Sequence, residues 1–352
     1  MNAQDSMNQP KIAKETKNKI RVEFERTSLK ERLKAKFLSL FFLKKVVWFV
    51  FRLVLLIGIA YVVLNPFLQK IAESFMSHDD FVDNTVQWVP RHFTLDTYKA
   101  ILTENGYFKA FANTLLLSLL TAIIQTFICC IIAYGLAKFK FKGNKAIFIA
   151  VIITMLIPHS TYNLSFAMNF TYFDVFGLIG KTGLLPQALT DGVNLMNTHW
   201  PLVLMSLTGL AFKNGLYIFM LRQFFNGVPD ELEESAYIDG SGVYRTFVQI
   251  ILPLSVPMMI TVFLFAFCWQ WTDGTYTTLF YPSNRMQLMP TILNMMPLSI
   301  QTEFSSSPVW GSYHDAIKGT TGLLIIFPLV ILYAFCQRFL VQGIERSGLT
   351  AD

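Results

Sequence analysis

The stretch "VPDELEESAYIDGSGVYRTFVQIILPLSVP", Val228 to Pro257, sets an acidic helix-forming segment directly before an apolar run broken by prolines. Pro229 stops the preceding chain, and Asp230 with Glu233 has the spacing of a capping box. Glu231, Glu233 and Glu234 lie where the positive end of a helix dipole favours acids. Gly240 stands where a left-handed cap would end the helix, about nine residues on. So short a helix is not stable alone in water and needs a surface to pack on. Ser235, Ala236 and Gly240 are small enough for a partner backbone to approach them.

The hydrophobic runs on either side explain the setting. The chain of 352 residues is 53% hydrophobic and only 15% charged, with 33 phenylalanines. Soluble domains carry roughly a quarter charged residues, so a bilayer is the natural solvent for this composition. Crossing its hydrocarbon takes about 20 apolar residues in a helix. Six stretches meet that length: 46–68, 110–136, 145–168, 200–222, 250–271 and 320–341. The third and fifth carry Pro158, Pro253 and Pro257, which kink or start helices. The expected fold is therefore an all-α membrane protein with six transmembrane helices.

The positive-inside rule orients it. With a cytoplasmic N-terminus, 20 Lys and Arg fall inside and 7 outside, leaving Arg52 and Lys213 within spans. Residues 1–45 contribute 12 of these, and Lys138, Lys140, Lys142 and Lys145 agree independently. Both termini and the acidic hairpin then face the cytoplasm. The basic excess beside the spans suits anionic lipid headgroups, and no base-stacking module accompanies it, so nucleic acid is not an expected partner. Ser28 with Glu31, and Leu29, Leu33 and Phe37 on one face, fit either an interfacial helix over 20–45 or an extension of span one.

Several motifs lead nowhere. "GLIGKTG", Gly177 to Gly183, has Val175 where a phosphate-binding loop needs glycine. Cys129, Cys130, Cys268 and Cys336 all fall in spans, against a disulfide scaffold or zinc site. His78, Asp79 and Asp80 read as a solvated loop rather than a metal site. His159 and His199 read as interface residues at span ends. No nucleophile–base pair or paired carboxylate suggests an enzyme. None of the six spans holds Asp or Glu, the groups that ion-coupled transporters use for protons or sodium. Energy for transport is thus expected from outside the chain, which disfavours a secondary transporter. A membrane scaffold or receptor would leave the hairpin unexplained. Aromatic and polar residues at the outer ends of spans five and six, namely Trp269, Gln270, Trp271 and Asp273, are candidates to contact a substrate; Trp at a span end also marks the interface belt.

The string "ELEESAYIDGSG" followed by Phe247 and "IILPLSVP" resembles the EAA motif of permease subunits in binding-protein-dependent ABC importers. The resemblance is to the carbohydrate branch that includes the maltose transporter. Glu234, Ala236, Asp239, Gly240, Phe247, Ile250, Leu252 and Pro253 fall on motif positions, and Ser235 and Ser241 replace alanines. "WVPRHFTLDTYKAIL" (Trp88 to Leu102), "NTLLLS" (Asn113 to Ser118), "AYGLAKFKFKG" (Ala133 to Gly143) and "QRFLVQGI" (Gln337 to Ile344) extend the likeness over about 47–345. "WTD" at 271–273 and the long loop 169–199 depart from it.

The resemblance implies the type I importer permease fold over 46–345, after a basic extension over 1–45 and before a short tail over 346–352. It implies a second, similar permease, two ATPase subunits and an extracellular sugar-binding protein as partners. No cofactor is implied in this chain, since ATP and magnesium would belong to the ATPase. Residues 230–241 would be the coupling helix seated in that ATPase, and the protein would lie in a prokaryotic plasma membrane. The substrate would be a sugar or oligosaccharide, with another organic solute as the alternative.

Overall fold

In lipid every backbone polar group needs an internal partner, so the apolar runs become helices. The computed structural model describes residues 12–13, 21–22, 40–174, 192–283 and 286–346. "GLIGKTG" and the tail over 347–352 lie outside the described residues. So does most of the helix considered over 20–45. The chain divides into two compact units, Met1–Leu68 and Gln69–Asp352. The first holds a two-residue antiparallel pairing, Ile12 with Val22 and Ala13 with Arg21, and most of helix α1, Leu40–Glu73.

The second unit is built around α2, Tyr107–Lys138, with α3 at Asn144–Leu156, α4 at Asn163–Thr171, α5 at Trp200–Leu207 and α6 at Asn214–Asn226. Next come α7, Glu231–Ile238, α8, Leu252–Thr272, and α9, Trp310–Arg346. Helix α2 packs against α5, α6 and α8, and α8 also packs against α9. Small buried residues on α2, among them Ala110, Ala122 and Ala133, let neighbouring backbones come close. Two of its buried hydroxyls turn back on their own helix: Thr121 donates to the Leu117 carbonyl at 2.8 Å and Thr126 to that of Ala122 at 2.7 Å.

Among the described residues four helices are long and apolar enough to cross a bilayer: Phe42–Glu73, Tyr107–Lys138, Val243–Thr272 and Trp310–Leu340. The expected third and fourth spans are not continuous helices. The third bends by 96° between Leu156 and His159, because Pro158 cannot continue the preceding turn. The fourth parts into α5 and α6, with Gly209 at φ +75° and Lys213 at φ +69° in the gap. The amides of Leu210 and Ala211 both donate to the Met205 carbonyl at 3.0 Å, so the gap satisfies its own backbone.

Proline shapes the other spans as well. Pro253 has no N–H for the Gln249 carbonyl and its ring would press on it. The chain responds with a π-helical turn over Phe247–Ile251, whose wider bond runs from the Leu252 N–H to the Phe247 carbonyl. Pro328, inside α9, leaves the Leu324 carbonyl without its usual donor. The Tyr107 hydroxyl fills that place at 3.0 Å, and the Trp271 indole N–H donates to the adjacent Ile325 carbonyl at 3.0 Å.

At the Tyr107 end of the bundle, segments 74–106 and 286–309 form a cap. Ala100, Ile101, Ile300, Tyr313 and Ile317 make its apolar centre. Asp80 is only 2% exposed and accepts from the His92 amide at 3.1 Å, so the reading of this loop as fully solvated is corrected. The imidazole of His78 stacks on Phe304 at 4.3 Å and bonds Ser307 at 2.7 Å. These side chains are committed to packing, and no metal-holding group of His, Cys, Asp and Glu occurs among the described residues.

Tyr107→Phe should therefore leave the Leu324 carbonyl unsatisfied in a buried site, at a cost of roughly 1–3 kcal/mol. Adding Pro328→Ala restores the missing N–H and should recover most of that loss. Unfolding of the purified variants in detergent measures both; equal loss in the single and double variants would contradict the assignment.

Candidate functional site: an anchored hairpin and a broken-helix cavity

Two places in the second unit concentrate polar groups. The first is the hairpin around α7. Gly240 takes the left-handed conformation expected of it, at φ +81°. The Ser241 amide reaches back to the Ala236 carbonyl at 2.9 Å and the Gly240 amide to that of Tyr237 at 3.1 Å. This is a Schellman ending, which satisfies the last carbonyls of α7. The N-terminal capping box does not form. Asp230 already has helical backbone angles, and its side chain caps nothing.

Both acids of that expected box turn instead to α2. Lys138, with 7% of its side chain exposed, donates to the Asp230 carboxylate and to the Val228 carbonyl, each at 2.6 Å. Glu233 is buried, takes a 2.6 Å bond from the Tyr134 hydroxyl, and lies 3.9 Å from the Lys138 ammonium. The hydrogen bond and charge of Lys138 hold the Asp230 carboxyl below its usual range. A depressed carboxylate contributes stability above its unfolded pKa and loses it as pH falls through the folded one, so this contact persists at neutral pH. The Tyr134 ring packs on Phe139, Phe225 and Phe247, with the last at 4.6 Å. Sequence reasoning counted Lys138 only as a topology signal. Its place one turn after Tyr134, at the end of an apolar run, was the available clue.

The motif residues divide between two faces. Ala236 is 5% exposed and packs within this chain. Glu234, Ser235, Asp239 and Gly240 are exposed. Leu232, Tyr237 and Val243 join them as apolar surface, with Ile238 at 86% and Tyr244 at 81% exposure the most prominent. Ile250 and Leu252 pack partly buried against the core, while Pro253 is exposed at the start of α8.

The second place is the gap between α5 and α6. With the α3–α4 bend it encloses a cavity of about 360 Å³, lined by Thr154, Met155, His159, Tyr162, Lys213 and others. Helices α3 and α6 meet closely beside it: a Cβ on Gly215 would lie 3.1 Å from the Val151 carbonyl. His159 Nδ1 is 2.6 Å from the Tyr276 hydroxyl, and its ring lies edge-on to Phe212 at 4.6 Å. Phe212 in turn meets Trp269 at 5.4 Å, and the Lys213 ammonium sits 4.7 Å from both ring centres.

The four residues expected to contact substrate take different positions here. Trp269 is exposed beside the cavity, and Gln270 borders the same region with its buried amide nitrogen free of any acceptor among the described residues. Asp273 accepts from the Thr275 and Tyr276 amides at 3.1 Å each, and so caps the short helix Thr275–Phe280. Trp271 is fully buried against Phe111 and Phe267, with its indole spent on the Ile325 carbonyl. Lys213, Phe212 and His159 had no local motif to announce them.

Comparison with known proteins agrees with this architecture. Residues 125–346 match the family described as Binding-protein-dependent transport system inner membrane component. A probable ABC transporter permease protein of Bacillus subtilis, YurM, is 27% identical over 86% of this chain and 87% of its own length. The AraQ permease protein of an arabinooligosaccharides transport system in Halalkalibacterium halodurans is 26% identical over 83% of this chain and 92% of its own. A solved bacterial ABC transporter, described as importing the acidic polysaccharide alginate, shares the fold with a TM-score of 0.63 at 17% identity, over 90% of this chain and 99% of the other. The anchored hairpin thus lies within the matched region of a membrane transport component, and the chain belongs to the family of binding-protein-dependent transport system inner membrane components.

Proposed function

We propose that this chain is one of two permease subunits of an ATP-driven importer for a sugar or oligosaccharide. The hairpin over 230–241 receives the force of two cytoplasmic ATPase subunits. Relatives whose printed names specify arabinooligosaccharide and alpha-glucoside transport support the carbohydrate class. An extracellular binding protein delivers the solute. In this reading α1 and the bent and broken segments make six crossings, and both termini lie in the cytoplasm, as the Lys and Arg distribution favours. Residues 1–45 then lie along the anionic inner leaflet.

The observation that carries the proposal is the two-faced hairpin. One face is bonded into α2 through Lys138 and Tyr134, and the other presents Leu232, Ile238 and Tyr244 outward. A short helix fastened to a long span moves with it as one body. Glu234, Ser235, Asp239 and Gly240 sit on or beside the exposed face, where an ATPase cleft would meet them, while Ile250, Leu252 and Pro253 carry the motion into α8. The solute passes the broken-helix cavity, and Trp269 and Gln270, which line a separate small pocket, are the contact candidates retained from the sequence. Trp271 and Asp273 support the shape of that wall.

The direct test is uptake by the reconstituted complex. Sugar delivered by the binding protein should accumulate only with ATP and should persist when ionophores collapse ion gradients; loss of uptake with the ionophores would overturn the ATP-driven reading.

Gly240→Val should strain the left-handed turn by roughly 1–2 kcal/mol while leaving membrane insertion intact, since the hairpin lies outside the hydrocarbon. Uptake should fall well below that of the parent. Normal ATPase association together with normal uptake would reduce the hairpin to a connecting turn.

Lys138→Met separates anchoring from docking. The exposed face is untouched, so the ATPase should still bind, yet ATP hydrolysis should no longer drive uptake. Parallel measurement of association, hydrolysis and uptake checks this, and a variant that loses all three equally would speak against the lever.

A further inference from the structure

Lys213 is an ionisable residue at the start of α6, inside the fourth apolar stretch. Helix α6 places 13 residues between it and the hairpin, or about 20 Å of rise, within a hydrocarbon layer about 30 Å thick. A cation at that depth is costly and marks a pathway unless something neutralises it. The fold shows what neutralisation looks like at Arg222, whose Nε donates to the Leu136 carbonyl and whose guanidinium lies 3.9 Å over the Phe148 ring. Lys213 has only half of this. Its ammonium rests 4.7 Å from the centres of Phe212 and Trp269, and among the described residues it has neither an ion pair nor a hydrogen-bond acceptor. The acid bordering this region, Asp273, has its oxygens engaged by the Thr275 and Tyr276 amides.

The cavity that Lys213 lines also carries the rings of Tyr162 and Phe166, and its 360 Å³ is within the range of small-molecule sites. Aromatic faces suit the apolar faces of a sugar ring, and an ammonium without an acceptor calls for a partner that brings negative charge. A charge-assisted bond to a carboxylate is about twice as strong as one to a neutral hydroxyl.

We infer that the cavity at the α5–α6 break binds an acidic sugar, a uronate-type carboxylate pairing with Lys213 Nζ while Tyr162 and Phe166, which line the same cavity, flank its ring. This rests on the importer reading above and names the substrate class within it. The carboxylate compensates the intramembrane cation, and the rings of Phe212 and Trp269 hold the cation in place between transport cycles.

The probes are a uronate disaccharide and its carboxyl-reduced neutral counterpart, offered separately to the complete reconstituted importer with its binding protein. The parent should carry the uronate. Lys213→Gln should lower uronate uptake about tenfold, the loss of one close charge pair, and lower uptake of the neutral form far less. Lys213→Arg keeps the charge and should retain uronate uptake within about threefold of the parent, which separates the charge requirement from a folding defect. If the parent carries the neutral sugar and rejects the uronate, or if Lys213→Gln changes both uptakes equally, the inference fails while the carbohydrate importer stands. If the parent carries neither sugar, the inference fails, and ATP-dependent uptake of other sugars decides the importer reading separately.

Discussion

The Lys138 ammonium at the end of α2 is the contact on which the working geometry of this chain depends. A nearly buried lysine must be paired, and here one Nζ serves a carboxylate and a backbone carbonyl 92 and 90 residues further along. Removing one member of such a cluster leaves a buried charge or polar group uncompensated, which costs more than the pair itself contributes. Beside it, the Tyr134 hydroxyl holds buried Glu233. Helix α2 is also the member of the bundle against which α5, α6 and α8 pack. A hairpin fastened to that helix is therefore fastened to most of the second unit.

Satisfying backbone groups without water governs the rest. A proline removes a donor, and at two of them the removal is answered nearby: a π-helical turn before Pro253, and the Tyr107 hydroxyl with the Trp271 indole beside the Pro328 kink. Where the fourth apolar stretch breaks, the freed amides fold back on Met205. Non-helical backbone at membrane depth is tolerated where it is buried in protein or lines a cavity. The broken segment does line one, so the irregularity and the candidate path share a physical origin.

This division also explains how α7 can be exposed and yet fixed. The bonds at Lys138 and Tyr134 use one side of an eight-residue helix. The other side keeps Ile238 in the open, and Tyr244 in the following turn is exposed as well. The Schellman ending at Gly240 turns the chain sharply enough for Val243–Thr246 to begin the next span almost at once.

The sequence by itself determined the solvent, the helical class, the position and end of the hairpin, and the family resemblance. These signals are local: run length, proline and glycine placement, and charge beside apolar segments. Gly240 was legible because a left-handed turn is decided by a single residue's sterics. Tertiary structure alone decided where side chains spent their bonds. Asp230 and Glu233 have capping spacing, but a cap competes with any better partner, and α2 supplied lysine and tyrosine from about a hundred residues away. Ala236 turned inward for the same reason: helix rotation follows the anchor. Trp271 reads from sequence like an interface residue, yet it is buried, with its indole donating to the Ile325 carbonyl beside the Pro328 kink. Apolar length announced six stretches but not that two of them break, since a break is stable only where neighbouring helices and a cavity receive the freed backbone.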